Sequence, residues 1–308
     1  MERIRSLDFT LEDELGVVFV ADLIATPSGY ALADTGGWVL LLDRHLALKH
    51  RFGGVGSGPR ELRLPQDLEN LPDGQLAIFD SGNNRLTVID NRGKLVATVP
   101  AGDGPLTDFA ALNGSTFLVG SAGDRSLVRR VPAGGPLFGQ IPERAWTAID
   151  AGASVPALGT HLVADAGGRI HHFDEHSNAI LSYSPTGSLE RLVTLPPQVH
   201  ESIREQAARM ENSFGGRAVL SQTWMLGIGS HEGRVVLSGT PPGVDGVGLV
   251  LDPRGTEATP VVAAPSLPAS EFHHVVRIVL EEDRITTVRR EGLYQYRIEW
   301  PDRLKPGT

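Results

Sequence analysis

A short turn motif that returns along the chain limits the available folds more than any other feature of the sequence. In two clear copies, Asp22–Gly29 and Asp67–Gly74, a run that begins with aspartate leads through a proline–x–glycine turn into a second apolar run. Four weaker copies follow, with turns at Asn113-Gly114, Gly167-Gly168, His231-Glu232-Gly233 and Glu281-Glu282-Asp283. Units repeated every roughly 40 to 65 residues are typical of propeller blades rather than of a two-domain enzyme.

Each unit also contains a second hairpin. The clearest examples have their turns at Asn91-Arg92-Gly93, Pro185-Thr186-Gly187 and Pro253-Arg254-Gly255. Alternating apolar residues on both sides of such turns predict antiparallel strands. Two hairpins give four strands per unit, which is the content of one propeller blade.

The two ends of the chain predict how the ring of blades closes. The last unit, near residues 284–300, lacks a fourth strand, whereas residues 6–11 alternate polar and apolar side chains before a first inner strand expected near Gly16. The N-terminal strand is therefore predicted to complete the last blade and to remove two exposed sheet edges. The sequence predicts one all-β domain over residues 1–308, a six-bladed β-propeller of four-stranded antiparallel blades.

One segment departs from the blade pattern. Residues 198–210 follow Pro196-Pro197 and place apolar side chains at positions 199, 203, 207 and 210. This spacing predicts an inserted amphipathic helix. Two positions are open for it, as a cap over one face of the propeller or as a cover for a sheet edge.

Residues 65–93 carry a resemblance to a known family. The segment has Asp73-Gly74 in its first turn, Asp80 at the end of its second strand, Asn84-Arg85 at the start of the third, and Asp90 to Gly93 in the next turn. It resembles an NHL repeat, and the preceding residues 54–62 (GVGSGPREL) resemble the connector of bacterial six-bladed NHL-type propellers. The strong match covers residues 51–100. The resemblance implies a six-bladed propeller, a fold that carries binding scaffolds, lactonases and lyases alike.

Charge and composition exclude several classes of protein. The net charge is −9 with only 28 basic residues, which argues against a general nucleic-acid binder. No apolar run approaches the length of about 20 residues that a membrane span needs. The chain has no cysteine, which excludes disulfides and thiolate metal sites. We expect a soluble monomer, cytoplasmic as it stands or exported if a signal segment has been removed.

Two further groups of polar residues are predicted to be structural. Asp80 and Arg85 flank one turn and are expected to pair across two strands, with Asp34 and Asp174 in comparable places. The histidines 171, 172 and 176 lie close together in the sequence. Because successive strand residues point to opposite faces, His171 and His172 are not expected to share one metal ion.

The candidate site comes from aligning the repeats. Asp22, Asp67, Asp108 and His161 begin the innermost strands of units one to four, and His274 is the candidate in unit six. Inner strands line the channel of a propeller, so these side chains are predicted to meet at one mouth of it. Asp22, Asp67, Asp108 and His161 are the candidate metal ligands, for Ca²⁺ if carboxylates dominate or for a transition metal if imidazoles do.

Two functions of different classes remain open on the sequence alone. The first is an NHL-like scaffold that binds a small ligand, peptide or protein at one face of the channel. The second is a metal-assisted lyase, hydrolase or lactonase with its site at the channel mouth. The channel histidines of NHL-type amidating lyases and the Glu/Asn/Asp calcium set of regucalcin-type lactonases do not match these positions, and no complete catalytic set can be identified. The scaffold is therefore preferred.

Overall fold

A computed structural model gives the architecture of the chain. The residues that the structure describes are 2–9, 15–71, 73–101, 106–113, 116–121, 126–131, 138–140, 160–165, 168–174, 179–194, 225–231, 234–239, 248–251, 258–261, 275–281, 284–289 and 291–297. The predicted helix at 198–210, His176 and His274 lie outside this part. Only the backbone of His161 and Asp174 belongs to it.

The described residues form strands arranged in four-stranded antiparallel sheets. The first half contains β1 Glu2–Asp8, β2 Val20–Thr26, β3 Gly29–Asp34, β4 Trp38–Asp43, β5 Leu48–Gly53, β6 Pro65–Asn70, β7 Leu76–Asp80, β8 Arg85–Ile89, β9 Leu95–Pro100, β10 Leu106–Asn113, β11 Thr116–Ser121 and β12 Ser126–Val131. The second half contains β13 Phe138–Gln140, β14 Thr160–Ala164, β15 Ile170–Asp174, β16 Ala179–Tyr183, β17 Leu189–Thr194, β18 Met225–His231, β19 Arg234–Gly239, β20 Gly248–Leu251, β21 Ala258–Val261, β22 Val275–Leu280, β23 Arg284–Arg289 and β24 Gly292–Arg297.

Six sheets are present in the described part of the chain. Five of them use consecutive strands, in the orders β2-β3-β4-β5, β6-β7-β8-β9, β10-β11-β12-β13, β14-β15-β16-β17 and β18-β19-β20-β21. We refer to these as sheets 1 to 5. Each of the six predicted turns joins the first two strands of a sheet, and the three further predicted hairpin turns join the last two strands of sheets 2, 4 and 5. The prediction of four strands per unit is confirmed.

Sheet 6 contains both ends of the chain. Its order is β22-β23-β24-β1, with β1 paired antiparallel to β24 from Glu2 opposite Arg297 to Asp8 opposite Gly292. The predicted pairing of the N-terminal strand with the last unit is confirmed, but the strand is Glu2–Asp8 and begins earlier than the predicted residues 6–11. The first strands of the sheets contact one another in the cyclic order β2, β6, β10, β14, β18, β22 and back to β2.

The first inner strand begins later than predicted. The expectation placed its start near Gly16, but β2 begins at Val20. The backbone amides of Val18 and Phe19 donate instead to one carboxylate oxygen of Asp34, at N···O distances of 2.8 and 2.7 Å. Because these amides are satisfied by a side chain, the segment before Val20 needs no strand partner.

The apolar core lies between the faces of neighbouring sheets. One cluster joins sheets 6 and 1 and includes Leu7, Tyr30 and Leu293, all buried. Two further clusters join sheet 1 to sheet 2 and sheet 2 to sheet 3. Face-to-face burial of this kind holds sheets 6, 1, 2 and 3 against one another.

No helix in the described residues is long and apolar enough to cross a membrane. A three-residue 3-10 turn at Ser81–Asn83 is a short irregularity between β7 and β8.

Candidate functional site: a ring at the start of the inner strands

Strand register places one residue of each sheet at an equivalent position near the start of its first strand. Asp22 lies opposite Ala33, Asp67 opposite Phe79, and His161 opposite Phe173. Asp108 precedes Phe109, which lies opposite Val119 in the same register. The six positions, which we call the entrance ring, are Asp22, Asp67, Asp108, His161, Gly227 and Arg277. The predicted equivalence of the first four residues agrees with this register.

The sixth position differs from the prediction. The prediction named His274, which lies outside the described residues, whereas β22 begins at Val275 and its backbone register brings Arg277 opposite Val288. The strand has a register shift between Val275 and Arg277. The same register shift occurs in sheets 1, 2 and 5, so it does not distinguish sheet 6. Counted back from the turn, Arg277 and Asp67 each lie three residues before the last residue of their strand. The alignment of unit six stopped three residues before that position.

The aspartates of the ring connect neighbouring sheets. The backbone amide of Leu68 donates to Asp22 at 3.0 Å, and the amide of Leu162 donates to Asp108 at 2.7 Å. The amide of Phe109 lies 3.5 Å from an oxygen of Asp67 and also donates to Asp108 at 2.8 Å. Each aspartate thus accepts from the first strand of the following sheet, and holds the inner strands side by side.

The same three carboxyls are crowded. Asp67 is in side-chain hydrogen-bond contact with both Asp22 and Asp108. Burial raises the pKa of Asp67 well above its usual range, and the charge of Asp108 raises it further. Burial also raises the pKa of Asp108, to about 6. Carboxyls held this close cannot all ionise at low cost unless positive charge compensates.

A fourth carboxyl, which the sequence analysis missed, lies beside the ring. Glu69 is two residues beyond Asp67 on β6, so both side chains share one face of the strand. Its carboxylate accepts from the backbone amides of Ala111 on β10 and Ala164 on β14. Burial raises the pKa of Glu69 well above its usual range, with further contributions from Asp67 and Asp22. The two-residue spacing from Asp67 was the signal available in the sequence.

Metal ligation remains a prediction. Among the residues that the structure describes, no group of three or more histidine, aspartate or glutamate side chains is placed to hold one ion. The side chain of His161, the predicted fourth ligand, is outside that part. The carboxylate oxygens of Asp22, Asp67 and Asp108 are of the type that Ca²⁺ prefers.

Two aspartates on the same side of the molecule anchor loops, as predicted. Asp34 accepts from the amides of Val18 and Phe19, and also from that of Gly36 at 3.1 Å. In sheet 2, Asp80 accepts from the amides of Arg63 and Leu64 at 2.9 and 3.2 Å. The repeated structural role is confirmed for this pair.

The pairing of Asp80 with Arg85 is also confirmed. The arginine Nε lies 3.1 Å from the buried carboxylate of Asp80. The guanidinium of Arg85 donates in addition to the carbonyl oxygens of Gly58 and Glu61 in the connector between sheets 1 and 2. The ion pair therefore fixes that connector to sheet 2.

His171 and His172 of sheet 4 are buried in the sheet. His171 Nδ1 lies 2.9 Å from Ser182 Oγ, and His171 Nε2 lies 3.2 Å from an Asp165 oxygen. Burial lowers the pKa of His171. His172 is 1% exposed. Although serine, histidine and aspartate form a chain of contacts, Ser182 is 2% exposed and is not positioned to meet a substrate.

Comparison with known proteins identifies the fold. No family model matches the chain, and no curated protein matches it. Virginiamycin B lyase from Staphylococcus aureus has a similar solved structure, with a TM-score of 0.52 and 12% identity over 91% of this chain and 80% of that one. A catalytically inactive variant of that lyase, solved with quinupristin, has a TM-score of 0.50 and 12% identity, over 91% of this chain and 80% of that one. The structure of the mitotic checkpoint complex contains a chain with a TM-score of 0.50 and 13% identity, over 91% of this chain and 78% of that one.

At these identities the likeness concerns the fold alone. The similar structures are β-propellers, and the chain shares their four-stranded antiparallel sheets. The fold is an all-β propeller.

Proposed function

We propose that the chain is a six-bladed, NHL-like propeller that binds a ligand with a cationic group at its entrance ring. The six described sheets, the cyclic contacts of their first strands and the pairing of β1 with β24 support the blade count. The turn and connector features of residues 51–100 support the NHL-like type.

The observation that carries the binding function is the contact of the Asp67 carboxyl with those of Asp22 and Asp108 on the two neighbouring sheets. A bound cation would relieve their mutual repulsion and would bind the ionised form most tightly. Channels and clefts lined by one sign of charge also concentrate ligands of the opposite sign. The proposed ligand is a small molecule, peptide or protein that presents an ammonium or guanidinium group.

A purely structural role for the aspartates accounts for less of the pattern. Each of them does connect two sheets, but the equivalent positions in sheets 4 to 6 are His161, Gly227 and Arg277. Three of the six ring positions therefore carry no carboxylate, which shows that a sheet of this fold can form without one at that position. Three carboxylates on consecutive sheets raise the electrostatic cost of folding, and a ligand offsets that cost.

A metal-assisted enzyme at the same ring is the second candidate. The observation in its favour is that the Asp67 carboxyl contacts those of Asp22 and Asp108. The three side chains as they stand are not placed to hold one ion, so this candidate requires them to move when the ion binds. A divalent ion held there would supply a Lewis acid or an activated water. Asp22, Asp67, Asp108 and His161 are the residues that would hold it.

The test is a thermal-shift assay with Ca²⁺, Zn²⁺ and Mn²⁺ and with the organic cations methylguanidinium and butylammonium. A cation at about 100 times its Kd should stabilise the fold by about 2.7 kcal/mol and raise the melting temperature by several degrees. Asp67→Asn, which keeps the shape and removes the charge, should abolish the rise. The exposed Asp73→Asn in the same sheet should retain it.

The outcome separates the two candidates. A rise with organic cations supports the binding scaffold. A rise with a metal that a chelator reverses, and that Asp67→Ala and His161→Ala each abolish, supports the metal-assisted enzyme. No rise with any of these cations, or a rise that Asp67→Asn leaves unchanged, contradicts both.

A further inference from the structure

We propose that an apolar rim beside the entrance ring docks a polypeptide segment in which an apolar side chain adjoins a lysine or an arginine. The rim consists of Val18, Phe19 and Val55. The inference rests on the proposed function, because the basic side chain would be the cation at the ring, and it names the class of ligand.

The rim side chains are large, apolar and exposed. Val18 and Val55 are each 74% exposed and Phe19 is 51% exposed. The other large apolar side chains that are exposed in the described part, Leu48, Val96, Leu189 and Leu192, lie on the last strands of sheets 1, 2 and 4. The rim is different because it lies on loops that lead into first strands. Exposed apolar side chains that cluster beside polar groups are typical of interaction surfaces.

The two valines lie against one turn. A Cβ placed on Gly36 would come within 2.9 Å of a Val18 methyl, and one placed on Gly37 within 3.2 Å of a Val55 methyl. Gly36 and Gly37 are neighbours in the turn between β3 and β4. Val18 and Val55 therefore flank the same two residues, and Phe19 adjoins Val18 in the chain.

The rim is held in place by buried groups. Asp34, 1% exposed, accepts from the amides of Val18, Phe19 and Gly36. On the other side, the amide of Gly54 donates to the carbonyl of Gly37 at 2.8 Å, immediately before Val55. A surface that is already ordered costs less entropy when a partner binds.

The charges around the rim favour a basic partner. Phe19 precedes Asp22 on the way into β2, and the connector that contains Val55 leads to Asp67 in β6. The exposed Glu61 carboxylate lies against Gly56, next to Val55, and accepts from the amide of Gly58 at 2.7 Å. Exposed Arg63, by contrast, packs against Gly82 at the turn of sheet 2. The Asp34 carboxylate thus lies under the Val18–Phe19 segment, and the Glu61 carboxylate lies beside the Val55 segment. Two guanidinium groups are also near, but Arg51 lies over the Trp38 ring and Arg85 is paired with Asp80.

A polypeptide fits this combination better than a membrane does. Three apolar side chains match one or two apolar residues of a partner, and phenylalanine is among the aromatic residues enriched in protein interfaces. Acidic groups beside the rim would repel the negatively charged surface of a lipid bilayer. A lysine or arginine next to an apolar residue meets both requirements.

The experiment uses an array of immobilised hexapeptides in glycine–serine backgrounds. Their two central positions pair leucine, phenylalanine or glycine with lysine, arginine or glutamate. We expect the full-length protein to select the apolar–basic pairs. In solution, fluorescence polarisation of the best peptide should show binding at least about tenfold weaker to Phe19→Ser, a difference of about 1.4 kcal/mol. The variant Val96→Ser, at an equally exposed site on β9, should bind like the parent, and both variants should melt with it.

Three results would overturn the inference: binding that Phe19→Ser leaves unchanged, equal binding of glutamate peptides, or no bound peptide at all. If no peptide binds while methylguanidinium or butylammonium still stabilises the protein through Asp67, the inference fails and the proposed function stands. If neither peptides nor cations bind, both fail. Vesicles rich in phosphatidylserine serve as a further probe, and binding to them that depends on Phe19 would overturn the choice of a polypeptide partner.

Discussion

Asp108 should make the protein less stable as the pH rises from about 4 to about 6, which is opposite to the effect of an aspartate with a lowered pKa. Burial raises its pKa to about 6, against about 4 for an exposed aspartate. The folded chain therefore binds more protons than the unfolded chain between about pH 4 and pH 6, and the free energy of unfolding falls as the pH rises through that window. Asp108→Asn removes this titration.

The stability of the parent relative to Asp108→Asn should therefore fall between about pH 4 and pH 7, by on the order of 3 kcal/mol. Urea unfolding of both proteins at the two pH values measures the change. Groups away from Asp108 titrate alike in both proteins and cancel in the difference. Asp67 is the exception, because the charge of Asp108 raises its pKa, and Asp108→Asn removes that contribution. A difference that does not vary with pH would show that Asp108 titrates like an exposed aspartate.

At single positions, the sequence predicted the residues that recur in several repeats and missed the one that occurs in a single repeat. Asp22, Asp67 and Asp108 could be aligned because each lies at a similar distance before the turn that joins the first two strands of its sheet. Glu69 could not be found by alignment, since the equivalent register positions carry apolar residues or residues without a charge, such as Ile24 and Ala110. The two-residue spacing shows only that Glu69 shares a strand face with Asp67. The contacts with Ala111 and Ala164 that define its role are long-range and leave no local pattern.

The strand β1 should be required for a closed and soluble fold. It covers β24, and its Leu7 is buried in the cluster that joins sheets 6 and 1. Deletion of residues 1–11 would expose the backbone edge of β24 and uncover that cluster, and exposed edges promote aggregation. We expect loss of a cooperative thermal transition and a shift to large species in size-exclusion chromatography.

A control distinguishes the missing strand from a general effect of truncation. A synthetic peptide of residues 1–11, added to the truncated chain, should restore part of the cooperative transition, whereas a scrambled peptide should not. A truncated protein that melts like the parent would remove the argument for closure by β1.

At the level of strands, turn chemistry was the most informative signal. Glycine, proline, asparagine and aspartate turns between alternating apolar runs predicted which strands form hairpins, because they constrain the backbone locally. The signal failed where a side chain replaced a strand partner, as Asp34 does for the amides of Val18 and Phe19. It also did not fix the position of the inner strand in unit six, where the register places Arg277 rather than the predicted His274 at the ring.

Across the whole molecule, a polar contact joins the first sheet to the last. The buried Tyr30 hydroxyl donates to the carboxylate of Glu281 and accepts from Gln295 Nε2 at 2.8 Å. Burial, with the hydrogen bond to Glu281, raises the pKa of Tyr30 to about 12. Tyr30→Phe would leave the buried amide of Gln295 and the partly buried carboxylate of Glu281 without this partner, at a cost of about 1–3 kcal/mol.

The expected result for Tyr30→Phe is a lower urea midpoint with an unchanged denaturant slope. The half-buried Tyr294 provides the matched control, since its ring lies under Arg289 within sheet 6 rather than between two sheets. Tyr294→Phe should lose less stability. Equal losses in the two variants would show that the contact between the first and last sheets contributes nothing specific.

The account as a whole depends on one claim: the crowded carboxyls of the entrance ring are partly protonated, and they lose those protons when a cation binds. The most direct measurement is the number of protons released at pH 6 in weak buffer when the protein is saturated with the cation that stabilises it most. Asp108, with a pKa of about 6, should release about half a proton, and Asp67, with a pKa raised well above its usual range, should add to this. Asp108→Asn should release less. Saturation with that cation without any release of protons would show that it binds elsewhere, and would contradict the proposed site.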